Sequence, residues 1–116
     1  MDLEPGPARA FVGGRLVAEA EAALIVREHG RRPYPPVAYF SRDDLKVELQ
    51  PADGTTHCPL KGTASYYDLV IGDRAVPRGA WSYEAVLGFD PELEVLRDRI
   101  AFDPAEVRVT VGEGAD

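Results

Sequence analysis

At 116 residues the chain is long enough for one hydrophobic core and too short for two. Apolar residues make up 45% and charged residues 28%, which excludes the disordered class, and a single cysteine excludes both an internal disulfide and a zinc site built from cysteines. The formal net charge of −7 opposes a phosphate backbone, so nucleic acid is not an expected partner. No apolar run approaches the roughly 20 residues of a membrane span, and Met1-Asp2-Leu3-Glu4 lacks the basic and apolar regions of a signal peptide. A cytoplasmic protein without a membrane partner, monomer or homodimer, is expected.

Arg9 to Val12 and Arg15 to Ala18 flank Gly13-Gly14, a two-residue connection suited to the positive φ angles of a hairpin. Ala20 to His29 mixes helix formers with the run Leu24-Ile25-Val26, and a strand preceded by a turn is the reading preferred. Arg31 to Pro36 holds three prolines and continues neither element. Val37 to Phe40 reads as a short strand, after which Ser41 and Asp44 suit the cap of a single helical turn. Leu45, Val47 and Leu49 alternate with Lys46, Glu48 and Gln50, the period of a half-buried strand, and Pro51-Ala52-Asp53-Gly54 is turn chemistry. Thr63 to Ile71 predicts a longer strand ending at Gly72-Asp73, with Tyr66 and Tyr67 on opposite faces.

Pro77 and Gly79 interrupt the return before Ala80 to Tyr83, a strand-like piece that sets Trp81 and Tyr83 on one face. Asp90-Pro91 followed by Leu93, Leu96 and Ile100 at helical spacing predicts one short helix near residues 91–99. Val107, Val109 and Val111 alternate in a last strand. The sum is a mainly β single domain of short antiparallel strands spanning residues 1–116, with a core over about residues 9–111 and flexible ends.

Chemistry concentrates between His57 and Tyr83, a stretch that holds the only cysteine and the only tryptophan. Cys58 has two readings: a nucleophile activated by His57 or Lys61, or a buried core residue, as free cysteines usually are. Lys61-Gly62 presents either an ammonium to an anion or a solvated lysine at a strand end; it is no phosphate-binding loop, since GxxxxGK[ST] is absent. Arg42, Asp43 and Asp44 form a charged cluster in which Asp43 is a candidate proton carrier and Arg42 a candidate anion clamp, with turn capping the simpler account. Tyr66, Tyr67, Trp81 and Tyr83 either line an aromatic pocket or fill the core. No metal ligand set and no cofactor are expected.

The blocks Tyr39 to Leu45, Cys58-Pro59-Leu60-Lys61-Gly62 with Ala64 to Tyr67, Ala80 to Tyr83 and Ile100 to Phe102 resemble the bacterial domain-of-unknown-function family 427, also labelled nucleotidyltransferase-like. Ser41 and Leu60 depart from that family's usual residues. The resemblance implies a β-tent-like fold of two small antiparallel sheets meeting at an angle, with a ligand groove between them lined by Tyr66, Trp81 and Tyr83. The expected function is a small-ligand-binding module whose pocket includes Arg42, His57, Lys61, Tyr66, Tyr67, Trp81 and Tyr83 and favours an anionic group. The alternatives are a transferase using Lys61 and Arg42 or Cys58, and a protein-interaction domain.

Overall fold

The structure, a computed structural model, describes residues 2–27, 36–58, 62–86 and 93–112. Eight strands run in the order β1 (Asp2–Val12), β2 (Arg15–Arg27), β3 (Val37–Tyr39), β4 (Glu48–Cys58), β5 (Gly62–Ile71), β6 (Arg74–Val86), β7 (Ala101–Phe102) and β8 (Arg108–Val111). They form two four-stranded sheets, ordered β3-β2-β1-β8 and β4-β5-β6-β7, and every pairing is antiparallel. The mainly β reading holds.

The β1–β2 hairpin turns on Gly13 and Gly14, with φ of 56° and 86°; both central residues of a type I′ turn need that region, which glycine enters without a Cβ penalty. Both strands extend well beyond the expected segments, and β2 carries through Leu24 to Arg27 with no turn before it. Alternation divides the buried residues into two groups. Ile25, Phe40, Leu69, Ala80, Phe102 and Val107 belong to the larger core, whereas their neighbours Val26, Tyr39 and Ala101 join Leu96 in a second cluster. Strands covered on both faces are why this short chain reads as runs such as Leu24-Ile25-Val26 instead of strict alternation.

Two isolated bridges stitch the sheets together, Ala18 to Leu45 and Phe40 to Ile100. At the second, each backbone N–H donates to the other residue's carbonyl, at 2.7 and 2.8 Å, while the Phe40 and Phe102 rings meet edge-on at 5.5 Å. Leu45, Val47 and Leu49 do pack against the core, as their period predicts. The strand itself starts only at Glu48, however, because Leu45 is spent on the bridge to β2.

Two expectations of broken chain are corrected. Pro51 to Gly54 is no turn: β4 runs through it, and the register with β5 slips between Pro51, opposite Tyr67, and Thr55, opposite Ser65. Pro77 to Gly79 likewise stays within β6, where the register slips between Val76, opposite Leu69, and Ala80, opposite Tyr67. Both are bulges, which accommodate proline and glycine without ending the strand. They flank β5 two residues apart, the β4 bulge opposite Tyr66 and the β6 bulge opposite Asp68. The short helix expected near residues 91–99 is a four-residue 3₁₀ turn, Leu93–Leu96, in which Leu96 is fully buried. Asp98 follows it at φ 63° and Ile100 is already extended against Phe40, so the i, i+3, i+4 spacing is used by one turn only. Arg31 to Pro35 and the end from residue 113 lie outside the described residues.

Candidate functional site: an aromatic groove on the second sheet

The strand period separates Tyr66 from Tyr67, and with them two groups of side chains. On one face of the β5–β6 pair, Tyr66 stands opposite Trp81 and Ala64 opposite Tyr83. These four residues, with Arg78 and Asp103, line a groove of about 350 Å³. Trp81 and Tyr83 are only partly buried and rest on the second cluster, and Tyr83 lies 6.5 Å from the ring of Tyr39 beneath. The groove floor is thus the outer side of packed core, which fixes the rings without covering them. Asp103 is held beside it: its backbone N–H donates to Gly79 O at 2.8 Å, and its Oδ1 accepts from Ala105 N at 2.9 Å.

Tyr66 is tied at both ends. Its hydroxyl shares a 2.8 Å hydrogen bond with Thr56 Oγ1 of β4, and the guanidinium of Arg78 lies over its ring, 4.3 Å from the centroid. Arg78 gets there because the β6 bulge turns its backbone. Its φ is 51°, and its N–H donates to Asp68 Oδ1 at 2.8 Å. From that position the side chain crosses β5 and reaches the β4 bulge, where a Cβ built on Gly54 would stand 3.5 Å from Arg78 Nη1.

The other face carries Arg42, Tyr67 and Glu84. Ser41 caps a 3₁₀ turn, Arg42–Asp44, through a full capping box: its side chain accepts from that turn's backbone, and Asp44 Oδ2 accepts from Ser41 N at 3.1 Å. The turn aims Arg42 at Asp98 O (3.1 Å) and at Tyr67 Oη (3.4 Å). Tyr67 in turn donates to Glu84. Glu84 is the extra residue of a third bulge, since Thr63 faces Ala85 while Ala64 faces Tyr83. Burial, seconded by the Glu84 carboxylate, raises the Tyr67 pKa against the opposing pull of Arg42, so the phenol keeps its proton. Arg42 therefore serves a phenol and a carbonyl. Asp43 is exposed, and its backbone N–H donates to Ser41 Oγ, the capping role.

The sequence-predicted residues thus fall into separate places. Tyr66, Trp81 and Tyr83 come together; Arg42 and Tyr67 come together on the opposite face. His57 and Cys58 end β4 opposite Thr63 and Gly62, where the backbone alone is described, and Lys61 lies outside the described residues. Arg78 and Glu84 were not anticipated. For Arg78 a signal exists, a Pro-Arg-Gly step inside a strand, which marks a bulge able to re-aim a side chain. No cluster of three or more His, Cys, Asp or Glu suited to a metal occurs among the described residues. A wider depression of about 760 Å³ runs over β1 and β2, where Arg9 pairs with Glu19 at 2.8 Å and Arg99 donates to Val95 O. It offers no aromatic surface.

Fold and groove together define a small two-sheet β domain with a ring-lined depression on one face. The chain belongs to the family described as Domain of unknown function (DUF427), labelled NTP_transf_9, whose pattern it matches over residues 3–113. No curated protein matches it. No helix among the described residues is long and apolar enough to cross a membrane.

Proposed function

We propose that the protein is a small-ligand-binding module of the cytoplasm whose site is the groove formed by Tyr66, Trp81 and Tyr83. The observation that carries this reading is that three large rings are gathered on one face, held rigid from below and left partly open. A preformed apolar surface with a few polar groups at its rim suits a flat organic ligand, because little ordering entropy remains to be lost on binding. The opposite-face triad of Arg42, Tyr67 and Glu84 supports this less well: its donors and acceptors already satisfy one another.

Because Trp81 is the only tryptophan, its fluorescence reports on the groove directly. Titration with nucleotides, aromatic metabolites and small cyclic amides is expected to give a saturable change that Tyr66→Ala weakens. Emission that follows only a linear inner-filter drift with every compound would remove the reading.

A further inference from the structure

We infer that Arg78 is the anchor of this groove and that the ligand is a flat-ringed organic anion, its carboxylate or phosphate gripped by the guanidinium and its ring laid against Trp81 and Tyr83. The inference rests on the groove being a binding site and adds the chemistry of what it takes.

Three observations lead to it. First, Arg78 has no ion pair among the described residues, in contrast to Arg9, Arg27 and Arg97, each of which meets a glutamate. Its guanidinium is stacked on Tyr66 and exposed, so its in-plane N–H donors remain available in the fork that matches a carboxylate or phosphate. Second, the residue stands at φ 51°, a conformation that Gly or Asn adopts more readily than Arg. A strained backbone at a site rim is a sign that the side chain, and not the turn, is what the position requires. Third, two other residues make room for it: Asp68 holds its N–H, and Gly54 leaves open the space across which it extends. Asp103 sits in the same groove with Oδ1 already accepting from Ala105, and its remaining acceptor capacity suits a ring N–H or hydroxyl on the ligand.

The test uses four probes of one ring size and different charge: phenyl phosphate, benzoate, benzyl alcohol and benzylamine, each followed by Trp81 emission in the full chain. Both anions are expected to bind about ten-fold tighter than the alcohol, the scale of a charge-assisted hydrogen bond at an exposed site, and benzylamine most weakly. Arg78→Asn keeps the positive φ and removes the charge. It is expected to bring both anions down to the affinity of benzyl alcohol measured in the same variant, abolishing the anion preference, and Arg78→Lys to restore part of it. The preference also shrinks with added salt. Which anion wins identifies the acid group. Benzyl alcohol binding as tightly as the anions, or a preference that survives in Arg78→Asn, overturns the inference and leaves the groove standing. Silence of Trp81 toward all four probes overturns both.

Discussion

Gly79 lies buried inside the β6 bulge, next to Arg78, and no side chain fits there. A Cβ at this position would stand 2.9 Å from Val76 Cγ1 and 3.1 Å from Leu69 Cδ1, whereas carbon atoms in good contact sit about 3.5–4.0 Å apart. Neither neighbour can retreat, since Leu69 is 0% and Val76 7% exposed. Overpacking of this kind costs about 1–3 kcal/mol, against a gain of roughly 0.5–1 kcal/mol from the reduced unfolded-state freedom of alanine. Gly79→Ala should therefore destabilise the protein by about 1–2 kcal/mol, a fall of roughly 4–8 °C in Tm for a domain of this size. Urea denaturation followed by circular dichroism measures it. Val76→Ala removes the nearer obstruction, so in the double variant the two losses should fall short of additive by at least about 0.5 kcal/mol. Strict additivity, or a Gly79→Ala protein as stable as the parent, would show that the bulge yields where it is described as tight.

Ser82 is fully buried and its Oγ has no hydrogen-bond partner among the described residues. Removing an unsatisfied buried hydroxyl is nearly free or favourable, so Ser82→Ala should leave stability unchanged or raise it by up to about 1 kcal/mol; a clear loss in the same urea assay would show that the hydroxyl is satisfied after all. Tyr67, whose pKa is raised in the folded state, binds its proton more tightly there than in the unfolded chain. Its stabilising contribution is present below the ordinary phenol range and lost as pH climbs through the raised value. Stability should thus fall more steeply above about pH 10 in the parent than in Tyr67→Phe, and identical alkaline profiles would refute the assignment.

Much of this was legible in the residues themselves. Gly13-Gly14 between alternating segments and the Thr63 to Ile71 run ending at Gly72 announce strands and turns through interactions spanning a few positions. Alternation alone was also enough to separate Tyr66 from Tyr67 and to align Trp81 with Tyr83. What the sequence concealed was decided by partners far along the chain. Pro51 to Gly54 and Pro77 to Gly79 carry the same residue types whether they reverse a chain or bulge within a strand, and only pairing with β5 selects the bulge. Arg78 owes its position to the slip at Pro77 to Gly79 and Glu84 to the separate slip between Thr63 and Ala64, which is why neither stood out. Arg42 looked like an available cation because nothing local shows that Asp98 and Tyr67, 56 and 25 positions away, take its donors.

The pairing of β8 with β1, which sets Val111 against Ala8 and Arg108 against Phe11, has a kinetic side. Strands β4 to β7 neighbour one another in chain order and can zip from local turns, whereas closing a loop of about a hundred residues directly is slow because its entropy is lost before any contact forms. The Phe40–Ile100 bridge shortens that search. Once the second sheet is built and Ile100 has met Phe40, only a few residues separate the chain from its place beside β1, so β8 is expected to dock last onto a scaffold already assembled.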